Sequence, residues 1–80
     1  MNTKERLPMD MLIDTKTLAT VIDASPQFVS RQILAGERAG RFTAQKIIGK
    51  GRLKHVDHLA FAAFLREQRY TDAAQRLELL

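Results

Sequence analysis

The dipeptide Ser25-Pro26 constrains this chain more than any other feature. Proline lacks a backbone N–H and fixes φ near about −65°, so it cannot continue a helix from upstream, yet it suits the first turn of a new one. Serine just before it is a favoured N-cap. A helix therefore starts at Pro26. Val29 and Ile33 lie four apart and point inward, with Phe28 and Gln32 flanking them. Gly36 reads as the stop, so the expected helix runs from Pro26 to Ala35. Its outer face carries Gln27, Ser30 and Arg31. Upstream, Leu18, Val21 and Ile22 fall at i, i+3 and i+4, one face of an earlier helix capped by Asp14 or Thr15. Asp23-Ala24 ends it, so only about three residues separate the two helices. That spacing matches a helix-turn-helix, although many small helical bundles have an equally tight corner.

The run "QKIIGKGRLKH", Gln45 to His55, poses the next question. Phe42 to Ile48 is rich in strand formers, Gly49-Lys50-Gly51 follows, and Arg52 to Val56 is again extended. Two such runs around a short glycine-containing link read as a β-hairpin. Alternation puts Arg52, Lys54 and Val56 on one side and Leu53 and His55 on the other. A phosphate-cradling loop fits less well. The glycines match neither the G-x-x-x-x-G-K-[ST] nor the G-x-G-x-x-G spacing, and no helix start follows to hold an anion.

The remaining segments are simpler. Met1 to Met11 has no clear period and reads as a flexible arm. Asp57 can cap a third helix, His58 to about Gln68. Leu59 to Leu65 is apolar almost all round, so Phe61, Phe64 and Leu65 read as core. The sharper alternative makes that helix a surface for a second copy or another protein. Thr71 or Asp72 caps a last short helix with Ala73, Leu77 and Leu80 as its apolar stripe. The expected organisation is an arm over 1–11, a unit over 12–68 that joins the helix-turn-helix to the hairpin and third helix, and a short C-terminal helix over 69–80.

Composition bounds the function classes. Eighty residues make one domain with a small core. There is no cysteine, so neither disulfides nor thiolate metal ligation is available. The N-terminus lacks a signal-peptide core and the longest apolar run, Leu59 to Leu65, is far too short for a bilayer. A cytoplasmic protein is expected. The formal net charge is +4, and it is unevenly spread. Arg38, Arg41, Lys46, Lys50, Arg52 and Lys54 fall between Arg38 and Val56 with no acid among them; the rest of the chain carries seven cations and nine acids. Segregation of this kind marks a polyanion-binding face or a solvated basic loop, and charge alone weighs the two equally.

Other chemistries find little support. His55 and His58 straddle the helix boundary at Asp57, and a metal would need further ligands. Ser25 and Ser30 lack a neighbouring base, so neither reads as a nucleophile. No catalytic residue, metal, cofactor or small-molecule ligand is expected. Arg31 and Gln27 alone would read as a solvated helix face. Beside a basic hairpin they gain a second reading, contact with guanine and adenine edges.

With these residues in view, the chain resembles the small winged-helix proteins of the phage and plasmid excisionase type, which look like the DNA-binding domain of MerR-type regulators. The run "IDTKTLATVIDASPQFVSRQILAGE" carries the likeness through Leu18-Ala19, Ile22, Ser25, Val29, Arg31, Ile33 and Gly36. The run "AQKIIGKGRLKHVDHLAFAAFL" resembles the family's wing and following helix, with Asp57 and Leu59 at the helix start. The likeness covers roughly Leu12 to Glu67. Asp23 stands where the turn usually has glycine, Leu53 where the second wing strand often has an aromatic, and the linker Glu37 to Phe42 is longer than usual. The resemblance implies a mainly α fold with a small β-hairpin, a winged helix-turn-helix. It implies a non-catalytic protein that binds and bends attachment-site DNA to assist an integrase. Double-stranded DNA is the expected partner, with an integrase or a second copy on DNA beside it and no membrane. The expected DNA contacts are Gln27, Ser30 and Arg31 on the second helix and Lys46, Lys50, Arg52 and Lys54 on the wing. A small phage or plasmid transcription regulator and a terminase small-subunit DNA-binding domain share the pattern. A protein-interaction module using the 59–65 helix is the alternative of another class.

Overall fold

The computed structural model describes residues 12–47, 49, 51 and 53–80. The expected arm over 1–11, together with Lys50 and Arg52, lies outside them. In chain order the elements are β1 (Leu12–Asp14), α1 (Thr15–Ile22), α2 (Pro26–Arg38), β2 (Gln45–Lys46), β3 (Lys54–Asp57), α3 (His58–Glu67) and α4 (Thr71–Glu78). The described residues thus form a mainly helical fold with one small antiparallel sheet, ordered β1-β3-β2.

Local chemistry sets the helix starts. Asp14 caps α1, its carboxylate accepting from the Thr17 backbone N–H at 2.8 Å and from the Thr17 hydroxyl at 3.0 Å. Thr15 is instead buried inside the first turn and donates its hydroxyl to the Lys54 carbonyl at 3.3 Å. Ser25 caps α2 by accepting from the Phe28 N–H at 3.1 Å, with Pro26 as the first helical residue. Asp57 caps α3 through the Leu59 N–H at 3.0 Å. The bonds from the Thr17, Phe28 and Leu59 backbone N–H groups each satisfy a donor that the helix leaves without an internal partner.

The corner between α1 and α2 spans Asp23 to Ser25. Asp23 takes the left-handed conformation, φ 56°, and the Ala24 N–H returns to the Ala19 carbonyl at 2.9 Å. This is the backbone path that glycine usually follows at a helix C-terminus. The aspartate therefore keeps the turn and accepts the strain.

Gly36 does not stop α2. The helix runs on to Arg38, and Gly36 is buried within it. A side chain there would collide with the Phe42 ring, whose Cζ stands 2.2 Å from an ideal Cβ. The glycine admits a close crossing and does not terminate anything. Gly40, at φ 73°, turns the chain after the helix.

The hairpin is also shorter than the composition implies. Phe42 turns inward to make edge-to-face contacts with Phe61 and Phe64, at centroid distances of 6.0 and 5.9 Å. The Ala44 N–H goes to the Glu37 carboxylate at 3.0 Å. These two anchors keep residues 42–44 off the sheet, so β2 holds only Gln45 and Lys46, which pair with His55 and Lys54. β3 is the central strand. Its other edge takes β1, with Ile13 opposite Val56 and Asp14 opposite His55. Three residues of β1 carry too little period to be read as a strand in isolation; the free edge of β3 recruits them.

The core gathers Leu18, Val29, Ile33, Val56, Phe61, Leu65 and Leu77, all nearly inaccessible. Phe61, Ala62 and Leu65 of α3 are fully inside it, whereas Phe64 is half-buried. α4 belongs to the same core through Ala74 and Leu77. Two expectations for α4 change. Tyr70 holds the N-cap position without a side-chain cap bond, so Thr71 and Asp72 lie inside the first turn. Ala74 takes the inward place with Leu77, and Leu80 is 57 % exposed beyond the helix end. No helix of the described residues is long and apolar enough to cross a membrane.

Candidate nucleic-acid interface

The buried stripe of α2 faces the core through Val29, Ile33 and Gly36. The same 3.6-residue period turns Gln27, Ser30 and Arg31 outward, and all three are exposed. Among the described residues no acid pairs with Arg31. Leu34 and Arg38 continue this exposed face toward the helix end. Arg38 falls here because α2 is longer than the glycine signal implied.

Across from α2 stands the hairpin. Lys46 and Lys54 are direct cross-strand partners, so their side chains leave the sheet on one face. Two like charges in that register repel unless an anion lies between or beside them. Lys54 has one such neighbour, the Glu37 carboxylate, with Nζ to Oε1 at 3.6 Å. Lys46 is exposed and has no acid partner among the described residues. The remaining two expected contacts, Lys50 and Arg52, lie outside the described residues. The flanking Gly49 and Gly51 both have positive φ, 88° and 70°, as a tight glycine turn requires.

A groove of about 350 Å³ separates α2 from the hairpin, lined by Thr15, Lys16, Pro26, Ser30, Leu53 and Lys54 among others. It joins Ser30 and Lys54 from the expected set. It also adds Lys16, which the charge argument passed over because that residue lies outside the basic run. The visible signal was its place two residues after the Asp14 cap, at the mouth of α1. Gln27 and Arg31 stand on the outer face of α2 beside the groove, and do not line it.

At the groove's edge Asp14 holds its proton weakly. Partial burial pushes its carboxyl pKa up, but the hydrogen bonds from Thr17 and the nearby His55 outweigh that and hold it below the ordinary aspartate value. It therefore stays an anion committed to its cap. His55 is buried on β3, with Nδ1 3.2 Å from the Leu53 carbonyl oxygen, and His58 is buried at the start of α3. No three His, Cys, Asp or Glu side chains gather as metal ligands among the described residues.

A second groove, about 410 Å³, lies between the end of α1 and the start of α4. Its walls mix Asp23 and Asp72 with Arg69 and Arg76, so it offers no single-signed field. Ser30 of α2 and the cations Lys16 and Lys54 thus share the walls of the groove beside the hairpin. Compared with protein-family models, curated proteins and solved structures, the chain returns no match.

Proposed function

We propose that this chain is a winged helix-turn-helix protein that binds double-stranded DNA sequence-specifically. In this reading α2 enters the major groove, the hairpin is the wing, and its cations meet backbone phosphates or a narrow minor groove. One observation carries the proposal: the unpaired outer face of α2, with Gln27, Ser30 and Arg31, lies next to the groove flanked by Lys16 and Lys54. Hydrogen-bonding groups for base edges and cations for phosphates are the two components that such recognition combines. The resemblance of "IDTKTLATVIDASPQFVSRQILAGE" to excisionase-type proteins supports a recombination directionality factor that bends attachment-site DNA for an integrase, with a small phage or plasmid transcription regulator or a terminase small-subunit-like DNA-binding domain as the alternatives. Burial commits Phe61, Ala62 and Leu65 of α3 to the core; a protein-interaction reading would rest on the outer residues of that helix, where Leu59 is 43 % exposed.

The test compares Arg31→Ala with Arg52→Ala on a selected duplex and on random duplex DNA across a salt series. Arg31→Ala should lose roughly 1–3 kcal/mol on the selected site and far less on random DNA. Arg52→Ala should weaken both alike and lower the salt slope by about one. Circular dichroism must be unchanged in both variants. Uniform loss for Arg31→Ala, or no effect of either change, would overturn the assignment.

A further inference from the structure

The outer face of α2 is polar at Gln27, Ser30, Arg31 and Arg38, with one large apolar side chain inside that row. Leu34 is 44 % exposed and takes no part in the hydrophobic core. A single exposed leucine is ordinary on a protein surface. Its position is what matters here. It lies one turn beyond Arg31 and one turn before Arg38, on the strip that faces away from Val29 and Ile33.

Resting on the DNA-binding reading above, we infer that Leu34 is a specificity-determining residue that reads the 5-methyl group of a thymine in the major groove. The chemistry leaves few other choices. Major-groove base edges present hydrogen-bond donors and acceptors that an aliphatic side chain cannot satisfy. Thymine alone adds an apolar group there. A leucine pressed against any other base edge would desolvate polar atoms without pairing them. It therefore favours thymine and disfavours the alternatives at the same position.

Helix geometry places that thymine. Leu34 stands three residues beyond Arg31, about 4.5 Å along the helix axis. One base-pair step is about 3.4 Å. Where Arg31 reads a guanine, the thymine read by Leu34 lies within about two base pairs of it.

The experiment starts from the duplex enriched by selection from random DNA. Each thymine in it is replaced in turn by deoxyuridine, which lacks only the methyl group. The wild-type protein should lose about fourfold in affinity at one position near the guanine and nothing elsewhere, the scale of one buried methyl group. Leu34→Ala should bind the thymine duplex about as the wild type binds the uracil duplex, and should be indifferent to the replacement. Leu34→Met, which keeps an apolar tip, should retain the sensitivity. Because Leu34 lies outside the core, both variants should melt with the wild type. Sequence enrichment with no uracil-sensitive position, or equal sensitivity in Leu34→Ala, overturns the assignment of Leu34 alone. Absence of both enrichment and salt-dependent DNA binding overturns the DNA reading together with it.

Discussion

A Cβ on Gly36 would stand 2.2 Å from Cζ and 2.5 Å from Cε2 of Phe42. Glycine inside a helix ordinarily costs about 1 kcal/mol relative to alanine, so alanine there would normally stabilise. Here the ring cannot retreat freely, because Phe61 and Phe64 hold it edge-to-face. Overpacking of this kind costs about 1–3 kcal/mol. Gly36→Ala should therefore lower stability by about 1 kcal/mol, and a Phe42→Leu background should remove the penalty. A denaturant titration that finds Gly36→Ala more stable would show that the ring yields. The two left-handed residues other than glycine among those described behave oppositely. Asp23 (φ 56°) and Arg69 (φ 72°) close α1 and α3 where glycine would be unstrained. Arg69→Gly should stabilise by about 0.5–1 kcal/mol, the left-handed strain less the unfolded-state entropy that glycine adds. Asp23→Gly should gain less, since aspartate tolerates this conformation better than arginine does. Equal gains, or the reverse order, would count against strain as the cause.

At the scale of elements, side-chain caps decide where α1, α2 and α3 begin. Ser25→Ala should cost about 1 kcal/mol by orphaning the Phe28 N–H. Thr71→Ala should stay within about 0.5 kcal/mol, because Thr71 lies inside α4 and caps nothing. Thermal melts of the two side by side check both statements, and equal losses would refute them. The contrast also shows what could be read in advance. Asp14, Ser25 and Asp57 act through bonds to residues two or three positions on, so their roles are written in the local sequence. The inward turn of Phe42, the passage of α2 through Gly36 and the pairing of Leu12–Asp14 with β3 all depend on partners far along the chain. Local pattern cannot carry such information, because the same residues would form a longer strand or an earlier helix end without those partners. The same division runs through the candidate site. Gln27, Ser30 and Arg31 follow from helical period alone. The placing of Lys16 beside Lys54 required the fold.

The charge pattern changes meaning at the scale of the whole molecule. In sequence, the run from Arg38 to Val56 holds six cations and no acid. In space, Glu37 at the edge of α2 reaches into that run. One carboxylate oxygen accepts the Ala44 N–H at 3.0 Å and the other lies 3.6 Å from the Lys54 ammonium. Glu37 therefore does two separable things: it registers the hairpin against α2, and it holds a cation that a DNA phosphate would otherwise take. Glutamine keeps an acceptor for Ala44 and removes the charge. Glu37→Gln should then bind random duplex DNA several-fold more tightly at low salt, with a salt slope steeper by about one phosphate contact. Glu37→Ala loses the acceptor as well and should cost roughly 1 kcal/mol of stability from the freed N–H. The gain in DNA binding should vanish when Lys54→Ala is introduced beside Glu37→Gln, since no cation remains to release. A salt slope unchanged by Glu37→Gln would mean that Lys54 already meets phosphate with its carboxylate neighbour in place, or never meets it at all.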